Sequence, residues 1–265
     1  MSNIQVKNEA YKNHQVFELI EHMRDYYEGL SETSFNFIPH GTPGFCNYST
    51  YVYMSIRSTL DSIKTLLKEG HIADAFVLIR KLLDTVLSTI YLDVVREDKF
   101  DWMDNSIVKD VDEWLKAQHW IPRTEKILKI LKESKTTKDL YPYFAWDTTR
   151  KRDRDFLDNH VHVSSYSSIL LNCEDIYLEN REKQLTNAYN LLHRIMVLHL
   201  AFIFYMNGSY MMASDYMDYR DMNMSPPEGS KSWLAPYAQK AFDEFLKPNE
   251  KLAAFIKEMC CMEIN

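Results

Sequence analysis

Residues 70–95 of the chain read GHIADAFVLIRKLLDTVLSTIYLDVV, and this stretch decides the predicted fold. From residue 72 to residue 95 it contains no Gly and no Pro, and it is rich in Leu, Ile, Val and Ala. On a wheel of 3.6 residues per turn, the apolar side chains cover about half of the circumference. Such a wide apolar arc is typical of a helix with neighbours on several sides. The sequence therefore predicts a central, buried helix here.

Two charged residues, Arg80 and Asp84, lie at the edge of this arc. They are four positions apart, so a helix places them on one face. We expect them to form a structural ion pair that joins the central helix to its neighbours. The alternative interpretation is a catalytic pair.

The helices around the central one follow from the same periodicity. Residues 49–68 have helical apolar spacing and end at Gly70, a typical C-terminal stop, so we expect an antiparallel hairpin of residues 49–68 and 72–95. A helix that begins near residue 180 is expected to pack against this hairpin. Further helices are predicted over residues 4–30, 106–118 and 180–219, with two more at the end of the chain, and residues 30–47, which contain Pro39 and Gly44, are predicted to form a loop.

No convincing run of alternating apolar and polar residues indicates a β-strand. We therefore predict an all-α fold, a multi-helix bundle around a central antiparallel helical hairpin. The domain prediction is one helical domain over residues 1–224. Residues 225–265 are predicted to form a C-terminal helical extension packed on the same domain.

Composition narrows the classes of function. A net charge of −7 argues against nonspecific coating of nucleic acid, although it leaves room for one local basic site. The six glycines form no phosphate-binding loop, and no Ser-His-Asp arrangement is evident. The four cysteines lack metal-ligand spacing, since Cys260 and Cys261 are adjacent and a zinc half-site needs two to four residues between its thiols. We expect no metal and no cofactor.

The predicted location is the cytoplasm. The first residues, MSNIQVKNEAYKNHQ, are polar and do not resemble a signal peptide. The most apolar run, residues 191–206, contains His193, Arg194 and His199 and has 16 residues. It is too short and too polar to span a bilayer, so we expect a buried helix and no association with a membrane.

The candidate chemistry lies in residues 149–162, TRKRDRDFLDNHVH. Arginine binds phosphate well because its planar guanidinium donates two parallel hydrogen bonds. Histidine is the side chain whose ordinary pKa permits proton transfer near neutral pH. Cleavage of RNA without a metal requires both types of group. The basic residues of the stretch are Arg150, Lys151, Arg152 and Arg154, and its histidines are His160 and His162.

The arrangement Arg154, five intervening residues and His160, with Asp155 directly after the arginine, resembles the Arg-x4-6-His motif of the HEPN superfamily. The segment DAFVLIRKLLD also resembles helices of HEPN-like bacterial proteins in which an acid, an arginine and another acid recur. Here those residues are Asp74, Arg80 and Asp84. HEPN proteins are all-α, and many are ribonucleases or toxins in bacterial defence systems.

The resemblance implies a metal-independent endoribonuclease of the toxin or anti-phage defence type. Arg154 would neutralise the scissile phosphate, and His160 or His162 would be the general acid or base, with Asp155 beside them. Arg80 and Asp84 would support the site, while Arg150, Lys151 and Arg152 would bind phosphate. RNA is then the expected partner, a homodimer is implied, and an antitoxin or a defence-system protein is a further candidate partner.

Other interpretations of these residues stay open. The charges of residues 150–155 are also typical of a solvated helical turn, and Asp158, His160 and His162 alternate as metal ligands on an extended segment could. Arg194 and His199 repeat the motif spacing, but five positions on a helix place them about 140° from facing each other, so we expect a structural role. The alternative function is a non-catalytic helical protein that binds a partner protein or a small ligand.

Overall fold

The all-α prediction is confirmed by the computed structural model, which describes residues 5–36, 48–99 and 108–265. Within these ranges no β-strand is present, and two isolated bridges join Met212 to Leu234 and Trp233 to Glu263. The helices are α1 (Glu9–Lys12), α2 (Gln15–Asn36), α3 (Tyr48–Lys68), α4 (Ile72–Lys99), α5 (Lys109–Leu115), α6 (Thr124–Glu133), α7 (Lys151–Val161), α8 (Tyr166–Leu170), α9 (Arg181–Asn207), α10 (Asp215–Asp221), α11 (Pro236–Ala241) and α12 (Glu250–Met259).

The chain divides into two compact units, each built from three separate segments. The first contains the described residues of Met1–Arg24, Ser55–Val86 and Phe144–Met196. The second contains those of Asp25–Met54, Leu87–Tyr143 and Val197–Asn265. Helices α2, α3, α4 and α9 each contribute residues to both units. The boundary predicted between residues 224 and 225 falls inside the second unit and stays a prediction.

Helix α4 has the burial that its apolar arc predicts. Phe76, Ile79 and Leu83 are buried, and every residue from 89 to 95 is buried as well. Gly70, with φ of +83°, separates α4 from α3, and a Cβ at this position would lie 2.7 Å from Cγ1 of Val6. This conformation and this close approach both require glycine. The antiparallel hairpin of α3 and α4 stays a prediction.

Several predicted helix limits are wrong, and each has a local cause. The helix predicted over residues 4–30 is interrupted at Asn13 and His14, where the ring Nδ1 of His14 accepts a hydrogen bond from the backbone N–H of Val16 at the start of α2. The helix predicted over residues 180–219 ends at Asn207, because Gly208 begins a 3₁₀ turn. In the helix predicted over 106–118, Ala117 has a φ of +53°, which stops α5. The loop predicted over residues 30–47 is wrong in its first part, since α2 continues to Asn36, and residues 37–47 lie outside the described residues.

The apolar helix near residue 200 is longer than its most apolar run. Residues Arg181–Met211 are long and apolar enough, by length and composition alone, to cross a membrane. However, 72% of the most apolar window is buried inside the protein, which is the pattern of a core helix. The burial of this helix, and not its length, therefore supports the expected core position.

Candidate active site

Most of the candidate residues lie on helix α7. Arg150, directly before the first turn of this helix, contacts other segments of the chain. This residue ends a π-helical turn over Trp146–Arg150, and its Nη2 donates to the carbonyl oxygen of Arg194 at 2.9 Å. The guanidinium also lies over the Phe144 ring, 5.7 Å from the centroid. Burial lowers the pKa of Arg150 to about 10, which leaves it charged at neutral pH. Arg150 thus contacts other groups of the protein, whereas the resemblance to HEPN proteins predicts that it binds phosphate.

A second contact joins α7 to α9. Arg194 donates from Nε and Nη2 to the two carboxylate oxygens of Asp153, at 2.6 and 2.7 Å. The Asp153 side chain is only 8% exposed. A two-pronged contact of this kind is strong and fixes orientation. Arg194 therefore belongs to the packing of α7, while His199 is buried separately with its Nδ1 2.7 Å from the hydroxyl of Tyr27.

Asp158 is the centre of the charged cluster on α7 and α4. Its Oδ1 accepts a hydrogen bond from Nε of Arg80 at 2.6 Å, and its Oδ2 lies 3.6 Å from Nε of Arg154. Nη1 of Arg80 also pairs with Asp84. Burial disfavours the charged form of Arg80, but hydrogen bonds to Asp84 and Asp158 outweigh that effect and raise its pKa. Two carboxylates and two guanidinium groups thus form one compensated cluster.

His160 lies beside this cluster in an aromatic environment. Its ring is 4.6 Å from the Phe76 ring and 5.0 Å from the Phe156 ring, centroid to centroid. The residue is 9% exposed, and its Nδ1 is buried with no hydrogen-bond partner among the described residues. Burial lowers the pKa of His160, so the neutral imidazole is favoured at pH 7.

The remaining candidates lie on the surface of α7 and at its end. Lys151, Arg152, Asp155 and His162 are all exposed. Arg154 and His160 share the helix, but six positions separate them, which turns their side chains about 120° apart. The structure therefore brings Arg154 to Asp158 and His160 to the two phenylalanines, and it shows no contact between the two motif residues within one chain.

Asp74, the first acid of the resemblance, belongs to the start of α4. The side-chain amide of Asn172 donates to Oδ1 of Asp74 at 2.9 Å, and its carbonyl oxygen accepts from the backbone N–H of Ala73 at 2.9 Å. The contact satisfies N–H groups that a helix start leaves unpaired. Asp74 is thus part of a helix cap.

The alternative of a metal site on an extended segment is wrong. Residues 151–161 are helical, so Asp158 and His160 do not alternate along a strand. In the parts of the chain that the structure describes, no group of three or more His, Cys, Asp or Glu residues could hold a metal ion.

The sequence did not predict three contributions to this region, namely those of Asp158 as an arginine partner, Phe76 and Phe156. Helical spacing carried the signal for each of them. Asp158 follows Arg154 by four positions, His160 follows Phe156 by four, and Arg80 follows Phe76 by four. What the spacing could not indicate was that α4 and α7 meet through these faces.

Comparison with known protein families finds a match to the part of the chain that contains α4 and α7. Neither a curated protein nor a solved structure matches the chain. A family model does match, over residues 47–217, and its description is family of unknown function (DUF5677). The match covers more than half of the chain and includes every residue of the charged cluster. The chain therefore belongs to the DUF5677 family.

Proposed function

We propose that the chain is a metal-independent endoribonuclease of HEPN type, of the toxin or anti-phage defence kind, and that it acts as a homodimer. The observation that carries the proposal is the state of His160. It has a buried Nδ1 without a partner among the described residues, on the same helix as Arg154.

An unpartnered imidazole nitrogen is unusual in a buried position. Most buried polar atoms have a hydrogen-bond partner, and the exceptions call for an explanation such as a catalytic role. The burial that lowers the pKa of His160 also keeps its ring neutral at pH 7, which is the form that accepts a proton. In the proposed reaction, His160 takes the proton of an RNA 2′-hydroxyl as this oxygen attacks phosphorus.

The second proton transfer needs another group, because the leaving 5′-oxygen must receive a proton. His162 follows His160 by two residues, immediately after α7, and is exposed. We assign this role to His162. Lys151 and Arg152 are exposed at the first turn of the same helix and would bind the phosphates of a flanking nucleotide.

Arg154 would meet the scissile phosphate. Its Nε lies 3.6 Å from Oδ2 of Asp158, and Asp158 is itself held by Arg80. A catalytic cation benefits from such support, since binding groups must be positioned before the substrate arrives. A second copy of the chain would supply the convergence of Arg154 and His160 that one chain lacks.

The second candidate function is a non-catalytic helical protein that binds a partner protein. Two observations favour it: the charges around Asp158 compensate one another, and exposed apolar side chains lie at the end of α7 and in the segment after it. These side chains are Val161, Val163, Tyr166, Ile169, Ile176 and Tyr177.

An RNA cleavage assay in EDTA separates the two functions. The nuclease should cut RNA without metal and leave a 2′,3′-cyclic phosphate on the upstream fragment, because the 2′-hydroxyl is the nucleophile. The oligomeric state should be measured on the same sample. RNA that stays intact between pH 6 and 8 with a folded dimer would favour the binding protein.

A further inference from the structure

Two adjacent cysteines after α12 lie against a glycine at the end of α9. A Cβ on Gly208 would be 2.9 Å from Sγ of Cys260 and 3.1 Å from Sγ of Cys261. Both sulfur atoms therefore converge on one point of the Gly208 backbone. Any side chain at this position would displace them.

The two thiols differ in their environment. Cys261 is exposed and Cys260 is partly buried. Interaction with the Cys260 thiol, opposed by burial and aided by the backbone of Cys261 and Ser209, lowers the pKa of Cys261 to about 6. The same contact, together with burial, raises the pKa of Cys260. Tyr26 also interacts electrostatically with Cys260.

The chain that follows these thiols is held by hydrogen bonds to two other segments. The backbone N–H of Glu263 donates to the carbonyl oxygen of Ser232 at 2.8 Å, and the backbone N–H of Asn265 donates to the side chain of Gln239 at 3.0 Å. Met262, between them and the cysteines, is buried. Cys261, an exposed residue, is therefore followed by a segment in a fixed position.

We propose that Cys261 is a site of reversible S-thiolation by low-molecular-weight disulfides, with Cys260 as the positioning residue that donates a hydrogen bond to the attacking sulfur. In this step the Cys261 thiolate attacks one sulfur of the disulfide. A bond forms between Sγ and that sulfur, the disulfide bond breaks, and the other half leaves as a thiolate. Accessible thiols of low pKa beside a second cysteine are the typical sites of such exchange.

The mixed disulfide should persist and not close to a bond between the two cysteines. Consecutive Cα atoms are about 3.8 Å apart across a trans peptide, whereas a relaxed disulfide needs about 4.4–6.8 Å. A ring between Cys260 and Cys261 would be strained and easily reduced. The expected product is thus a stable adduct on Cys261.

The experiment uses the full-length protein and glutathione disulfide as the probe, with peptide mapping by mass spectrometry. The adduct should form first on Cys261 and be removed by dithiothreitol. Cys173, a partly buried thiol in the other unit, is the internal comparison. An adduct that forms on Cys173 as fast as on Cys261 would overturn the proposal.

A second measurement tests the role of Cys260. The rate at which iodoacetamide alkylates Cys261 should rise with a midpoint near pH 6 and be level by pH 8. Cys260→Ala and Gly208→Ala should both move this midpoint upward, whereas Cys260→Ser keeps a hydroxyl donor and should retain a low midpoint. Cys173→Ala should have no effect. An unchanged midpoint in folded Cys260→Ala would exclude the positioning role.

Discussion

Nε of Arg80 on α4 donates to Oδ1 of Asp158 on α7 across 2.6 Å, which joins two segments that are 78 positions apart in the chain. The Arg80 side chain is 12% exposed and that of Asp158 is 34% exposed. Asp84, the other partner of Arg80, is 50% exposed. Arg80 and Asp84 thus form the expected pair, but Arg80 also contacts Asp158, whose side chain is less exposed than that of Asp84.

Removal of Arg80 should therefore destabilise the protein. Arg80→Ala is expected to lower the free energy of unfolding by about 1.5–3 kcal/mol, the range for hydrogen bonds to charged groups. This is less than the roughly 3–5 kcal/mol for a fully buried pair, because water still reaches Asp158. Denaturation in urea measures the loss. The combined Arg80→Met and Asp158→Leu variant should lose less than the sum of the single changes.

Asp84 provides the matched control for this measurement. Because its carboxylate is half exposed, Asp84→Ala should change the free energy of unfolding by no more than about 1 kcal/mol. If Arg80→Ala were no more harmful than Asp84→Ala, the contact between Arg80 and Asp158 would contribute little to stability.

Asp153 and Asp155 should behave oppositely although both lie on α7 two positions apart. Asp153→Ala strands the Arg194 guanidinium and should cost about 3 kcal/mol, at the low end for a broken buried pair because Arg194 is partly exposed. Asp155 is exposed, so Asp155→Ala should stay within about 0.5 kcal/mol of the parent. If Asp153→Ala and Asp155→Ala lost equal stability in thermal and urea denaturation, the structural role of Asp153 would be contradicted.

The fold was largely predictable because helical periodicity is a local property. The apolar arc of residues 72–95 predicted α4, and the lack of runs of alternating apolar and polar residues predicted the all-α class. Helix limits were less predictable. The break at His14 depends on a ring nitrogen that accepts a backbone hydrogen bond. The end of α9, at Gly208, lies against the sulfur atoms of Cys260 and Cys261.

The candidate site was predictable only as a set of residues on one stretch. Composition and spacing identified α7, but the partners of its side chains come from other segments. Arg150 and Arg154 have the same charge but different surroundings. Arg150 is buried against Phe144 and Arg194, whereas Arg154 pairs with Asp158. The burial of His160 against Phe76 is likewise a tertiary effect that a motif cannot indicate.

Acid should destabilise the protein through His199. Burial lowers the pKa of this imidazole to about 3, whereas the unfolded chain binds the same proton near pH 6.5. The unfolded state thus binds more protons between these values. The stability associated with neutral His199 is complete above pH 6.5 and is lost as the pH falls toward 3, at about 1.4 kcal/mol per pH unit.

The contribution of His199 can be isolated by comparing slopes. His199→Gln should flatten the dependence of unfolding free energy on pH between pH 4 and 6 by about 1.4 kcal/mol per unit, whatever its absolute stability. His119→Gln, at an exposed position, should leave the slope unchanged. A slope that is the same in His199→Gln and the parent would show that His199 takes up its proton in the folded state.

The last prediction separates the packing role of His160 from the proposed chemistry. His160→Ala would remove a ring that fills the space between Phe76 and Phe156, so a loss of activity could reflect a loss of fold. His160→Phe keeps an aromatic ring there and removes the buried, unpartnered Nδ1, so its stability should match or exceed that of the parent. Its rate of RNA cleavage should fall by about 10²–10⁴-fold, the usual contribution of general acid–base catalysis. His162→Phe should reduce the rate as well if the exposed imidazole protonates the leaving oxygen, and His119→Phe should cleave normally. Parent-like cleavage by folded His160→Phe would remove His160 from the mechanism.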